Sequence, residues 1–195
     1  MKKIILASGS PRRKAIFERL NINFELIPSS YIEVIQDNIF SYKKIEDLAY
    51  NKALDVVKQI KEAALVVGAD TVVVLDNEIL CKPKDEIDAF DMLKMLSGRK
   101  HFVVTAICII DTTNMRKKVI STTSYVEFEQ LSDEMITSYI KNFNPLDKAG
   151  AYGIQELPPN FLKSVDGSFE NIIGLCPRAL QKLLKTFKVE INLCQ

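Results

Sequence analysis

The first twenty residues combine three local signals that together limit the fold more than any other segment does. Residues 3–7 (KIILA) predict a short buried strand, and a tight polar turn, Ser8-Gly9-Ser10-Pro11, follows it directly. Residues 12–20 then predict an amphipathic helix, because Ser10 is a favoured helix cap and Pro11 suits the first helical position. A strand, a tight turn and a capped helix in this order are typical of an α/β unit.

The rest of the chain continues this alternation of helix and strand signals. Apolar segments predict strands at 23–28, 64–68, 72–75, 78–80, 101–110 and 118–128. Helical periodicity predicts helices at 46–63, 85–96, 133–141 and 177–186 and leaves 145–155 irregular. Because no repeat, low-complexity tract or linker interrupts these elements, we expect a single domain over residues 1–195. Its fold class is predicted to be α/β, with a mixed twisted sheet flanked by helices.

The charge balance limits the kind of ligand that the chain can hold. Its 195 residues carry 26 Lys and Arg against 25 Asp and Glu, a formal net charge of +1. Nonspecific binding of nucleic acid or of a membrane surface needs a sustained basic excess, so we expect neither partner. No segment approaches the roughly 20 apolar residues that span a bilayer, and the N-terminal apolar run is too short for a secretion signal. We therefore expect a cytoplasmic protein that holds a small polyanion by a few placed cations.

The cysteines and the histidine exclude several kinds of site. Cys81, Cys108, Cys176 and Cys194 show no CxxC spacing, and with His101 as the one histidine they form no zinc set. The sequence also lacks a GxxxxGK[ST] loop and a strand-linked GxGxxG, so P-loop and dinucleotide sites have no support. His101 is interpreted as a strand residue or as a neighbour of the sheet edge.

The opening turn is the first candidate site. The N–H groups of a helix start, the hydroxyls of Ser8 and Ser10 and the guanidinium groups of Arg12 and Arg13 could together bind a phosphate. The alternative is a capped helix with its arginines in solvent. Adjacent residues lie about 100° apart on a helix, so one arginine could reach a ligand while the other faces solvent.

Asp70 is the second candidate. It separates two apolar runs, which predicts a carboxylate at a strand end between two buried segments, with Thr71 beside it. Desolvation there is costly unless the carboxylate pairs or binds a metal ion. The alternative is a structural aspartate in a turn. Glu33, Lys52 and Lys82 have no local pattern that separates them from ordinary surface residues.

The segment 147–155 (DKAGAYGIQ) is the third candidate. Its small residues allow backbone to approach a ligand closely. Gln155 offers both a donor and an acceptor, so it could read the edge of a base. A plain buried loop would have the same composition.

Taken in order, these segments resemble the Maf family of nucleoside triphosphate pyrophosphatases. The blocks that carry the resemblance are LASGSPRR (6–13), LAYNKA (48–53), GADTVV (68–73), KP (82–83), LSGR (96–99), DKAGAYGIQ (147–155) and GSF (167–169). They extend to about Pro177, nearly the whole chain. Several blocks in a conserved order are far more specific than any one of them.

The resemblance implies hydrolysis of a nucleoside triphosphate to the monophosphate and pyrophosphate with a divalent metal ion, Mg²⁺ or Mn²⁺. The AYGIQ ending is similar to the branch that cleaves dTTP and UTP rather than to the 7-methyl-GTP branch. The family resemblance further implies an elongated fold like that of the inosine triphosphatases, with a central cleft, and a homodimer.

The same resemblance implies the roles of individual residues. Asp70 would be the proton acceptor, and Glu33 with Asp70 would hold the metal ion. Substrate choice would depend on Arg12, Thr71 and Gln155. The phosphates would be contacted by Ser8, Ser10, Arg13, Lys52 and Lys82.

Four positions depart from the family pattern, and they bear on rate and nucleotide preference more than on reaction type. Asn144 stands where glutamate is usual, and Glu156 follows the glutamine where glycine is common. Cys176 interrupts a Gly-Leu-Pro tail, and Cys81 takes the place of a frequent glycine.

Two other functions stay open at the level of the sequence. One is a purine triphosphatase of the inosine or xanthosine type, which would need a purine pocket. The other is a non-enzymatic nucleotide-binding protein of division control. The even charge and the intact Asp70 argue against the second.

Overall fold

A computed structural model describes residues 2–33 and 37–191, so Cys194 lies outside the described part of the chain. The strands are β1 (Lys3–Leu6), β2 (Phe24–Leu26), β3 (Ala64–Leu75), β4 (Glu78–Leu80), β5 (Lys100–Asp111), β6 (Lys117–Phe128) and β7 (Leu162–Asp166). The helices are α1 (Pro11–Arg19), α2 (Tyr42–Val57), α3 (Glu86–Leu96), α4 (Asp133–Phe143), α5 (Phe169–Ile173) and α6 (Pro177–Thr186).

The described strands form one sheet in the order β2-β1-β3-β5-β6-β7, with β4 paired to β3. The pairs β1–β2 and β1–β3 are parallel, whereas β3–β5, β5–β6 and β6–β7 are antiparallel. The predicted mixed sheet flanked by helices is therefore confirmed.

Two helix layers cover the sheet. On one face, α2 packs Leu48, Ala49 and Ala53 against β1, β3 and β5. On the other face, α1 and α6 cover one end of the sheet around Phe17 and Leu180, while α3, α4 and the 145–161 segment cover the other end. The candidate site lies where these two clusters meet on the second face and extends to the α2 face, since its lining includes Thr71 and Val73 as well as Lys52 and Asp70.

Capping side chains explain where several helices begin. Ser10 accepts a hydrogen bond from the Arg13 N–H, with Pro11 at the first helical position, as predicted. Ser132 caps α4 in the same way. The prediction for α2 was wrong at both ends: Ser41 caps it, so it begins at Tyr42 rather than at 46, and it ends at Val57 rather than at 63.

The predicted break at Asp70 is wrong. β3 is one continuous strand of twelve residues, and Asp70 lies within it, paired with Ala106 of β5. A charged side chain does not interrupt the strand because its backbone groups remain hydrogen-bonded to the neighbouring strand.

The sequence patterns did not predict β7 or α5. β7 is an edge strand without a fully buried residue, so it lacks the apolar alternation that identifies a strand. α5 spans only five residues, which is too short for a helical period to be recognised. Within the described residues, no helix is both long enough and apolar enough to cross a membrane.

Candidate active site

A cavity of about 390 Å³ opens beside the middle of β3. Its volume is in the range that small-molecule sites occupy. The predicted site residues that line it are Ser10, Arg12, Arg13, Glu33, Lys52, Asp70, Thr71, Lys82 and Gln155. The structure therefore brings together residues that lie up to 145 positions apart, from Ser10 to Gln155.

A gap in the sheet makes room for this cavity. On one side, β3 pairs with β1 as far as Val67 and with β4 from Val73 onward. Residues 68–72 have no strand partner on that side among the described residues. Asp70 and Thr71 lie in this gap and, as neighbours on a strand, project toward opposite faces of the sheet.

Asp70 faces α2 and forms an ion pair with Lys52. The Lys52 ammonium also lies 2.6 Å from the Glu33 carboxylate, so one cation bridges two carboxylates. Asp70 is only 4% exposed. Burial raises the pKa of Asp70, and the charge of Lys52 opposes that rise. Burial acts on Glu33 in the same direction, but the charges of Lys52, Lys82 and Arg13 together outweigh it and the pKa of Glu33 is lowered.

Thr71 faces the other side of the sheet, toward α1. The Arg13 guanidinium donates to Thr71 Oγ1 at 3.0 Å, to the Gly174 carbonyl oxygen at 2.9 Å and to Ser8 Oγ at 3.2 Å. Arg13 is buried, so these contacts replace water around its charge. Ser8 does not line the cavity: its hydroxyl accepts from Arg13 and from the Ser10 N–H. Ser8 thus stabilises the turn through the Ser10 N–H and orients the Arg13 guanidinium without lining the cavity itself.

Arg12 points across the mouth of the cavity. Its guanidinium lies 3.1 Å from the Asp147 carboxylate, which joins the start of α1 to the 147–155 segment. The two adjacent arginines therefore have different surroundings, because Arg13 is buried while Arg12 is half-buried in an ion pair.

Lys148 is a cavity residue that the sequence reasoning did not single out. Its ammonium lies 2.8 Å from Asp147 and 3.2 Å from Glu156. Its side chain is 8% exposed. A buried lysine cannot be recognised from composition, although its place inside the small-residue segment was a usable signal. Lys82, by contrast, is exposed at the cavity wall.

Glu33 and Asp70 also fit a divalent cation. Two carboxylates already converge on one positive charge, the Lys52 ammonium, and hard cations such as Mg²⁺ bind through one or two carboxylates plus water and substrate phosphates. Within residues 2–33 and 37–191, no group of three or more His, Cys, Asp or Glu side chains could hold a metal ion by itself. The donor set therefore suits an ion that receives further oxygens from a ligand.

The remaining lining of the cavity is largely apolar. It includes Val73, Ile79, Leu80, Val103, Ile154 and Ile172. A site that combines cations, two convergent carboxylates and an apolar wall suits a small ligand with both a polyanionic part and a flat or apolar part.

The fold and this cavity define a class: α/β proteins with a cavity lined by arginine and lysine at a gap in a mixed sheet. The family profile described as "Maf-like protein" matches residues 3–187. The chain belongs to the Maf family.

Curated relatives are similar in sequence to this chain over nearly its full length. The chain is 42% identical to the dTTP/UTP pyrophosphatase of Ruminiclostridium cellulolyticum, covering 98% of this chain and 99% of the relative. It is 44% identical to the dTTP/UTP pyrophosphatase of Clostridioides difficile strain 630, covering 97% of each. Among solved structures, the Staphylococcus aureus Ham1 protein is similar with a TM-score of 0.50 and 17% identity, over 95% of this chain and 100% of that one. At that identity the likeness concerns the fold alone.

Proposed function

We propose that this Maf-family protein is a nucleoside triphosphate pyrophosphatase that hydrolyses dTTP and UTP to the monophosphate and pyrophosphate. The observation that carries the proposal is the buried Asp70 carboxylate, paired with Lys52 in a cavity whose wall also holds Arg12, Arg13 and Lys82. The names of the curated relatives support the two substrates.

The charges of the cavity suit a triphosphate. A bound triphosphate carries about four negative charges, and fixed cations that face them stabilise the further charge that develops on the leaving pyrophosphate. Arginine and lysine at the wall supply such charges, and the N–H groups at the start of α1 add a further anion-binding feature.

Asp70 is proposed as the proton acceptor. In this role its carboxylate orients and deprotonates a water molecule that attacks the α-phosphorus, and the bond between that phosphorus and the bridging oxygen of the β-phosphate breaks. Burial raises the pKa of Asp70, which makes it a stronger base than an exposed aspartate. Glu33 and Asp70 would hold a divalent ion, which when bound neutralises phosphate charge.

Arg13 and Ser10, together with Lys52 and Lys82, are proposed to contact the phosphates. Arg12, Thr71 and Gln155, which all line the cavity, are proposed to govern the choice of base. A homodimer and a cytoplasmic location complete the proposal, and both rest on the family resemblance and the composition.

The test is release of pyrophosphate from dTTP, UTP, CTP, ITP and 7-methyl-GTP with Mg²⁺ or Mn²⁺. We expect wild type to act on dTTP and UTP and Asp70→Asn to lose at least about a hundredfold in kcat. Asp47→Asn is the matched control, because Asp47 forms an exposed ion pair with Lys43 on α2, outside the cavity.

The same assay distinguishes the proposed function from its two alternatives and tests the role of Asp70. Faster hydrolysis of ITP than of dTTP and UTP would favour the purine triphosphatase. Tight nucleotide binding without turnover would favour the non-enzymatic protein. An Asp70→Asn protein with full activity would remove Asp70 from the role of base.

A further inference from the structure

Glu156 and Lys148 form an ion pair that closes over the turn carrying Gln155. The Lys148 ammonium lies 3.2 Å from Glu156 Oε2, and the lysine side chain is 8% exposed. This contact is one of charge alone: the Lys148 ammonium donates its hydrogen bond to Asp147, and among the described residues the buried Glu156 Oε2 has no hydrogen-bond partner. Gln155 and Glu156 belong to the short 3-10 turn Ile154–Glu156. The pair therefore links Glu156, the residue after Gln155, to Lys148, which lies eight positions before Glu156.

Gly153 shows how closely the pair crosses the turn. A Cβ atom on Gly153 would lie 2.9 Å from Cε of Lys148 and 3.0 Å from Oε2 of Glu156. The lysine side chain thus passes directly over the Gly153 backbone to reach the carboxylate. The Glu156 N–H also donates to the Gly153 carbonyl oxygen at 2.9 Å, so the turn is closed by its backbone and by the ion pair.

The other end of this turn is anchored in the core. The Gly153 N–H donates to the Tyr139 hydroxyl at 3.1 Å, and Tyr139 is 1% exposed. Gln155 itself has an exposed side chain at the cavity wall. Its position depends on the turn that carries it. Ile154 and Leu157 hold the ends of that turn against the core, and the ion pair adds a restraint on Glu156, the residue next to Gln155.

The same ion pair is continuous with Arg12. Asp147 receives Lys148 on one oxygen, at 2.8 Å, and Arg12 on the other, at 3.1 Å. The chain Arg12–Asp147–Lys148–Glu156 has alternating charges and ends beside Gln155. The chain of charges therefore connects Arg12 with the neighbour of Gln155, and the proposed function assigns a role in substrate choice to both Arg12 and Gln155.

We propose that Glu156 is a positioning residue for base selection, which holds Lys148 and thereby the turn that presents Gln155 to the substrate. The inference rests on the proposed function and adds to it a residue outside the predicted site set. Its effect concerns which base is accepted rather than the chemical step, because Glu156 contacts neither Asp70 nor Lys52.

The experiment compares kcat and KM for dTTP and ITP in wild type, Glu156→Gln, Glu156→Asp and Lys148→Met. We expect Glu156→Gln to lower the preference for dTTP over ITP by about five- to tenfold, through KM for dTTP, with kcat changed less than about twofold. Glu156→Asp should restore part of the preference. A further variant combines Glu156→Gln with Lys148→Met. Since the two residues act as one unit, it should lose no more preference than Lys148→Met alone.

Glu18→Gln is the matched control, because Glu18 forms an exposed ion pair with Lys14 on α1 and does not line the cavity. Thermal unfolding shows whether each variant folds. Where Lys148→Met does not fold, the nucleotide preference of Glu156→Gln alone decides whether Glu156 has the proposed role. An unchanged preference in Glu156→Gln would overturn the proposal. An equal change in KM for both nucleotides would also overturn it, since Glu156 would then affect the binding of any nucleotide through its charge and would not select the base.

A second readout separates this inference from the proposed function. Wild type that released no pyrophosphate would contradict the proposed function, and calorimetric binding of dTMP and IMP would then test the positioning role. A preference for dTMP that Glu156→Gln weakens about fivefold supports the role. Equal binding of the two monophosphates by wild type, or an unaltered preference in the variant, rejects it.

Discussion

Gly68 of β3 lies directly beneath Ala49 of α2, so closely that a Cβ atom on Gly68 would be 2.3 Å from the Ala49 carbonyl oxygen. The ion pair of the cavity is built on this contact. Asp70 lies two residues beyond Gly68 on the same face of β3, and Lys52 lies three residues beyond Ala49 on α2. The close approach of helix and strand therefore sets the distance between the Lys52 ammonium and the Asp70 carboxylate.

Gly68→Ala should be destabilising because the clash is with backbone, which cannot move aside as a side chain can. The added methyl group would also lie 2.7 Å from the Ala53 nitrogen. We expect a loss of about 3 kcal/mol in the free energy of unfolding, measured by urea denaturation, together with reduced pyrophosphate release. Gly9→Ala is the control, since the added Cβ atom would lie 3.9 Å from Pro28 Cβ, an ordinary contact. Similar stability losses in both variants would contradict the argument.

Lys52→Met should impair the cavity more than the fold. The substitution keeps an unbranched side chain, one atom shorter, but leaves two carboxylates, Glu33 and Asp70, without the cation that bridges them. We expect kcat/KM for dTTP to fall by about a hundredfold or more, because a fixed charge that faces the substrate is lost. Steady-state kinetics measure this, with Lys14→Met on the exposed face of α1 as the control. Loss of activity in both variants would mean that Lys52 acts only through general charge.

Arg13→Lys should not behave as a conservative change. The guanidinium makes three separate contacts, with Ser8, Thr71 and Gly174, whereas a lysine ammonium on a flexible stem cannot reproduce that fork. We expect about 2 kcal/mol of lost stability and a raised KM for dTTP. Arg19→Lys provides the comparison, because Arg19 forms an exposed pair with Glu170. Denaturation curves that coincide for the two variants would show that the buried contacts of Arg13 contribute nothing.

His101 should make the protein less stable as the pH falls below neutrality. Its side chain is buried, with Nε2 2.8 Å from the Tyr152 hydroxyl, and burial lowers the pKa of His101 to about 4 from its ordinary 6.5. Between these values the unfolded chain binds a proton that the folded protein does not, so stability is present above about pH 6.5 and is lost toward pH 4. We expect a loss of about 2 kcal/mol between roughly pH 7 and pH 5.

The measurement is urea denaturation of wild type and His101→Gln across that range. Glutamine can still bond Tyr152 but does not titrate, so the variant should show a flatter dependence on pH. The carboxylates with lowered pKa, such as Asp111 and Glu127, titrate below this window and do not obscure it. Equal slopes for the two proteins would exclude His101 as the cause.

Local signals in the sequence predicted three of the helix starts correctly, because a helix start depends on residues within about one turn of it. Ser10, Ser132 and the two prolines that begin α1 and α6 act through backbone geometry and caps within a few residues, and these helix starts were predicted correctly. The end of α2 and the strand β7 were missed, because the first depends on packing against the sheet and the second on pairing with β6. The start of α2 was also missed, although the Ser41 cap that sets it is a local signal.

The sequence by itself determined the order of the elements other than β7 and α5, the mixed α/β class and most of the residues able to do chemistry at the site, since these follow from periodicity, capping and the ordered family blocks. Only the tertiary structure decided how those residues meet. That Asp70 lies within a strand, that Lys52 bridges it to Glu33, and that Lys148 joins Asp147 to Glu156 all depend on contacts between distant segments. Such contacts are determined by side-chain packing and by the need to pair buried charges, which no local pattern records.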